Sequence, residues 1–154
     1  MVSQKDLTIV MHLRHNARIK LRDLARITKT PVSTLFGHMQ NLPDHGVTKL
    51  TALLDFARLG YFTIATLLLK ATGDRRDQLK QYLLDSPEVN SLMRVNNGYD
   101  FMAECIFKDM RALEEFCDCL ERTHGVKTKE VHYVVEELKR EAFLSTQYLE
   151  AEKP

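Results

Sequence analysis

LRDLARITKTPVSTLFGHMQNLPDHG, residues 21–46, reads as two short helices joined by a tight turn. Leu24, Ala25 and Ile27 give the first helix an apolar side. Thr30 is placed to act as N-cap of the second helix, its hydroxyl available to an orphan backbone N–H, with Pro31 at the first helical position. Val32, Leu35, Met39 and Leu42 then recur at spacings of three, four and three, which is one apolar stripe of a helix. Ser33, Phe36, Gly37, Gln40 and Asn41 fall on the opposite face. A short helix packed along one stripe, with small polar groups on the other, suits insertion into the major groove of double-stranded DNA. The same stretch, taken alone, equally fits an ordinary helical hairpin, so its neighbours have to decide.

Outward from it, Gln4 to His15 forms a preceding helix, with Leu7, Val10 and Met11 on one side and Ile9 and Leu13 beside them. Asn16-Ala17-Arg18 ends it. After the pair, Pro43 to Gly46 closes the second helix. Val47–Leu54 (VTKLTALL) alternates partly and is rich in β-formers, which predicts a wing strand. Three helices and a wing make a winged helix-turn-helix.

The pattern changes at Tyr61. YFTIATLLLKA predicts a buried strand, and Asp74 to Leu84 a helix with Leu79, Tyr82 and Leu83 inward, stopped by Ser86-Pro87. Val89 to Val95 and Tyr99 to Phe107 read as strands joined by Asn96-Asn97-Gly98, which is strong hairpin chemistry. Met110 to Thr123 is a helix with Leu113, Phe116, Cys117 and Leu120 as its stripe and Gly125 as C-cap. Val126 to Val135 is a last strand. The fold class is therefore α+β: an N-terminal winged helix-turn-helix and a ferredoxin-like βαββαβ domain. The expected division is 1–50 for DNA binding, 51–60 as hinge, 61–140 for oligomerisation and sensing, and 141–154 as a charged C-terminal tail. Residues 136–154 read as a charged helical extension or tail, with apolar Phe143, Leu144, Tyr148 and Leu149.

Composition agrees with this division. The chain has 154 residues, 44% of them hydrophobic and 28% charged, the balance of a soluble globular protein. Its net charge of +1 hides an asymmetry, since residues 1–50 hold eight Lys and Arg against three Asp, and the remainder fourteen basic against eighteen acidic groups. The basic third is the part suited to a polyanion. No signal peptide and no apolar run of membrane-spanning length is read, and a cytoplasmic setting is expected. Cys105, Cys117 and Cys119 have no zinc spacing and are expected to be reduced, small apolar residues. No metal-ligand set, cofactor fingerprint, Ser/His/Asp set, paired carboxylates on one element or P-loop is read, so no catalytic residue is assigned.

The order of these pieces resembles the Lrp/AsnC family of prokaryotic transcriptional regulators, over roughly residues 4–140. The resemblance is carried by Asp6, Ile9, Val10 and Leu13 with Asn16-Ala17-Arg18, by Leu24-Ala25, Ser33-Thr34-Leu35, Leu42 and Gly46-Val47, by Ala52-Leu53-Leu54-Asp55 with Leu59-Gly60-Tyr61, and by Gly98-Tyr99-Asp100. It implies dimers built through the C-terminal sheets and often assembled further. It also implies a small effector, commonly an amino acid, near Asn97, Gly98, Tyr99 and Asp100. On the same resemblance Ser33, Thr34, Gly37, Gln40 and Asn41 meet bases, while Arg18, Lys20, Lys29 and Thr30 lie against the DNA backbone.

Two departures stand out. From Pro31 to Leu42 there is no Lys or Arg, and His38 stands where relatives place an Arg; it can touch a phosphate or sit at the edge of the core. Phosphate contacts then fall to Arg18, Lys20, Arg22, Arg26 and Lys29, since positioning and base reading are separable tasks. In the last strand Lys129-Glu130-Val131 replaces a Thr-x-Thr that faces the effector. Asp100 can bind an effector's amino group or only cap the hairpin. Sirohaem decarboxylases share both domains but carry an Asn-x-Trp-Phe-like strand, and this chain has no Trp. The alternative to a regulator is an effector-sensing or partner-binding oligomer with weak or lost DNA binding.

Overall fold

Strand β1 (Thr63–Ala71) is the centre of the larger of two units in the computed structural model, which describes residues 3–145. It pairs antiparallel with β3 (Phe101–Phe107) on one side and β4 (Val126–Tyr133) on the other, and β2 (Val89–Arg94) completes the order β2-β3-β1-β4. Helices α4 (Arg76–Asp85) and α5 (Met110–His124) supply the rest of the expected β-α-β-β-α-β order. Side chains alternate across a pleated strand. Ala65, Leu67, Leu69 and Ala71 of β1, with Phe101, Ala103, Cys105 and Phe107 of β3, are buried in one core with Leu79, Leu83, Leu113, Phe116, Cys117 and Leu120 of the helices. The stripe read along α5 is thus the buried one. Ile64, Thr66 and Leu68 of β1 and Met102, Glu104 and Ile106 of β3 alternate with those core residues and are only half-buried.

Gly125 ends α5 in the left-handed region at φ 64°, where a Cβ would also come within 2.6 Å of Arg75 Cδ. The Asn96-Asn97-Gly98 turn works through the same conformation, with φ of 60° at Asn97 and 97° at Gly98, and the Val95 N–H donates to the Asp100 carbonyl across it at 3.1 Å.

The other unit runs from the N-terminus to Leu53 and takes in the chain from Leu138 onward, while Leu54–Glu137 forms the sheet unit. Helix α1 (Gln4–His15) opens with a reciprocal cap: the Ser3 hydroxyl accepts from the Asp6 N–H, and Asp6 Oδ2 accepts from the Ser3 N–H and hydroxyl. Helix α2 (Leu21–Thr28) and helix α3 (Val32–Gln40) follow, then a 3₁₀ turn over Leu42–His45. Ile9, Leu13, Leu24, Leu35 and Leu42 form the core of this unit, with Ala25, Met39 and Val47 packed against it.

The helical pair differs from its expected form in three respects. Thr30 does not cap α3: its hydroxyl donates to the Thr28 carbonyl, its N–H to that of Ala25, and Pro31 holds the N-cap position. Lys29, at φ 51°, turns the chain sharply enough to leave Thr30 over the end of α2, whose free carbonyls it satisfies. Ile27 and Val32, expected on the apolar sides, are 49% and 44% exposed. Both lie at or near the ends of short helices, beyond the rim of the core.

Val47–Leu54 is not a strand. All four strands of the described residues belong to the sheet of the other unit, and Leu50, Leu53 and Leu54 stay exposed. Residues 134–145 form no helix either. Arg14 on α1 pairs with Glu141 at 3.1 Å, Phe143 is exposed, and Tyr148 and Leu149 lie outside the described residues.

All three cysteines are free, and burial pushes the Cys105 thiol up to about 12. Cys119, whose Sγ accepts from the Tyr82 hydroxyl at 3.7 Å, is only half-buried. A disulfide reagent applied to native protein at pH 8 therefore labels Cys119 first and reaches Cys105 only on unfolding. Mapping the labelled cysteine by peptide mass checks this.

Candidate nucleic-acid interface and sensing turn

Helix α3 shows one face to solvent because only Leu35 is fully buried on it. Ser33, Thr34, Phe36 and Gln40 are exposed, and Gly37 is half-exposed with nothing within 4 Å of the position a Cβ would take. This leaves a shallow polar face with one bulky group, Phe36, 56% exposed at its centre. The sequence placed Phe36 on that face without giving it a role. Asn41 is exposed too, although its side-chain amide folds back to donate to the Gly37 carbonyl at 3.3 Å.

The cations sit on α2 and on the segments flanking it. Arg18, Lys20, Arg22, Arg26 and Lys29 are all exposed. Arg26 pairs with Asp23 at 3.3 Å, in a contact open enough to water to be worth little. Arg14 is turned to Glu141. His38 is turned inward, half-buried, with its Nδ1 3.1 Å from Asp6 Oδ1. Hydrogen bonds from Ser3 hold the Asp6 carboxyl below its usual range, with the two nearby histidines adding to the effect. The surface around α3 thus combines a polar helix face with cations supplied by its neighbours.

In the sheet unit, Asn97, Gly98 and Tyr99 lie at the hairpin turn and Asp100 at the start of β3. Both oxygens of Asp100 are engaged: Oδ1 with Arg76 Nε at 2.8 Å, and Oδ2 with the Ala71 N–H at 3.1 Å. Its own N–H donates to the Leu69 carbonyl at 2.8 Å. Asp100 therefore ties the hairpin to the end of β1 and the start of α4. The Tyr99 hydroxyl donates to Glu130, which holds the phenol above and the carboxyl below their ordinary values, and Glu130 also meets His132 at 3.2 Å. Lys129 and Val131 belong to the opposite side of β4, where Lys129 pairs with Glu121 of α5 at 2.7 Å. Tyr99, Glu130 and His132 are thus joined beside the turn, a grouping that sequence separation conceals. Among the described residues no helix is long and apolar enough to cross a membrane.

Replacing Asp100 by Ala leaves a buried backbone N–H without its acceptor and Arg76 without its partner. The expected cost is roughly 1–3 kcal/mol of stability. Urea unfolding of the variant measures it, and an unchanged midpoint would mean that Asp100 does not hold the turn.

The sequence model of the Lrp/AsnC ligand binding domain matches residues 64–143. The HTH-type transcriptional regulator FL11 of Pyrococcus horikoshii is 27% identical over 79% of this chain and 82% of its own length. A transcriptional regulator of Neisseria meningitidis, solved as its L-Met complex, superposes with a TM-score of 0.83 at 24% identity over 91% of this chain and 94% of its own. AsnC of E. coli superposes with a TM-score of 0.80 at 15% identity, covering 91% of this chain and 96% of its own.

Proposed function

The chain belongs to the Lrp/AsnC family of DNA-binding transcriptional regulators, and on that premise we propose how its residues divide the work. Helix α3 enters the major groove with Ser33, Thr34, Gly37 and Gln40 toward the bases, and Asn41 at the rim once its amide leaves the Gly37 carbonyl. Arg18, Lys20 and Lys29 take phosphates, with Thr30 beside them. His38 is held by Asp6 and lends the groove nothing directly. The observation that carries this reading is a helix buried through Leu35 alone, with a polar, low-relief opposite face and exposed cations before it. Gln40 and Asn41 have the paired donor and acceptor that adenine presents in reverse.

The protein works as a homo-oligomer, a dimer or an assembly of dimers. Two helices cover one face of a four-stranded sheet, and the opposite face presents half-buried Ile64, Leu68, Met102 and Ile106. Exposed Leu50, Leu53 and Leu54 also gain cover when a second copy supplies it. Asn97, Gly98 and Tyr99 border the effector position. An amino acid is the favoured effector, as one structural neighbour, a transcriptional regulator, was solved with L-Met. Asp100, already paired twice, shapes that position rather than binding there. The reading places the protein in the cytoplasm and gives it no catalytic step, as the curated relatives are named as regulators.

Random-library DNA selection with the purified protein, followed by affinity against salt on the winning site, tests this reading. A two-fold-related motif with a steep salt dependence is expected. Arg18→Ala and Lys20→Ala should each lower the salt slope by roughly one. Lack of any enriched motif, with weak binding even at low salt, would favour a sensing oligomer without DNA affinity.

Gly37 supplies a further test. A methyl group there meets nothing in the chain, so Gly37→Ala should stabilise α3 by up to about 1 kcal/mol. It should at the same time weaken DNA binding by crowding the groove. Tighter or unchanged DNA binding in the stabilised variant would remove Gly37 from the interface.

A further inference from the structure

Asp6, His38 and His45 lie far apart in the sequence and converge inside the helical unit. Asp6 belongs to the first turn of α1, His38 to the last turn of α3, and His45 ends the 3₁₀ turn that follows. Asp6 Oδ1 is 3.1 Å from His38 Nδ1 and 3.2 Å from His45 Nδ1. The two rings are 4.3 Å apart between centroids and tilted by 45°. One ligand-type atom from each residue lies within 4.8 Å of the other two. The side chains are 10%, 22% and 23% exposed, so the cluster is sheltered.

Two features separate this cluster from an ordinary ion pair. Asp6 Oδ1 and His38 Nδ1 are both shut off from water, and neither makes a hydrogen bond among the described residues. Asp6 Oδ2, in contrast, is fixed by the Ser3 N–H at 2.9 Å and the Ser3 hydroxyl at 2.7 Å, which sets the direction of its partner oxygen. With the Nδ1 atoms unprotonated, a carboxylate oxygen and two imidazole nitrogens brought this close repel one another unless a cation is shared among them. At 3.1 Å, His38 Nδ1 and Asp6 Oδ1 are close enough for a hydrogen bond and yet do not form one.

A metal ion makes a different geometric demand. Each ligand lone pair then points at the ion and not at the neighbouring ligand. With bonds of about 2.0–2.1 Å in a tetrahedron, neighbouring ligand atoms stand roughly 3.3 Å apart. The two separations from Asp6 Oδ1 are close to that edge length.

We propose that Asp6, His38 and His45 form a binding site for a borderline first-row divalent cation of the zinc class, with a water completing the tetrahedron. Two imidazoles and one carboxylate suit such an ion, whereas calcium and magnesium take sets of six or more oxygens. Ser3 acts as the outer partner that orients the carboxylate. The bound ion ties the start of α1 to the end of α3 and to the turn beyond it. This site stands apart from the DNA and effector readings and does not depend on them.

Metal-free, full-length protein titrated with Co²⁺ tests it directly. The expected result is the visible absorption of four-coordinate cobalt, saturating at one ion per chain, displaced by Zn²⁺, and without the near-ultraviolet band of thiolate ligation. The melting temperature rises with Zn²⁺ in step with occupancy. His45→Gln should weaken binding by at least the roughly 10–100-fold that loss of a mere orienting partner costs. His15→Gln, at an exposed histidine of α1, should leave it unchanged. Absence of the four-coordinate spectrum, a thiolate band, or equal affinity in His45→Gln would each overturn the proposal. If His45→Gln does not fold, the spectrum of the parent protein and the affinity of His38→Gln decide.

Discussion

Leu35 is the one residue of α3 shut off from water, and its seat among Ile9, Leu13, Leu24 and Leu42 decides which way that helix faces. Nine residues are too few to hold a helix in water without packing, so α3 exists because its inner side is occupied. The same contact makes its outer side available. Leu24 locks α2 into the same seat, and Lys29 in the left-handed region lets the chain reverse between the two helices. The exposed cations then fall on the approaches to α3 because its own sequence has none to offer.

One-sided burial also governs the sheet unit. β1 alternates buried and half-buried residues along its length, and only the buried set meets α4 and α5. What holds the hairpin in register beside β1 is polar as well as apolar. Asp100 joins β3 to Leu69 and Ala71 through backbone groups and to α4 through Arg76. A residue that could have been read as a ligand group is thus busy in the frame, while Tyr99, Glu130 and His132 form the polar group left beside the turn.

The legible parts of this fold were those in which periodicity and turn chemistry agree. The α5 stripe of Leu113, Phe116, Cys117 and Leu120 is buried as read, and Asn96-Asn97-Gly98 turns with two residues at positive φ. Helix ends were less legible. A threonine before a proline has two helices within reach of its hydroxyl, and Thr30 serves the earlier one. Ile27 and Val32 obey the pattern yet miss the core, because periodicity gives direction but not the size of what is being covered. Val47–Leu54 has strand-forming residues and no strand to pair with, a fact of topology and not of composition. His38 admits two readings in the sequence because its neighbours Asp6 and His45 come from separate elements, which no spacing rule connects.

The outward face of α3, on a helix whose other side is locked, is the face proposed to meet DNA. Amide hydrogen exchange of the full-length protein, with and without a bound selected duplex, reports on that face residue by residue. Protection should concentrate in residues 30–41 and in the basic stretch 18–29, with the core amides of β1 unaffected. Protection on the sheet unit with α3 exchanging as freely as before would contradict it.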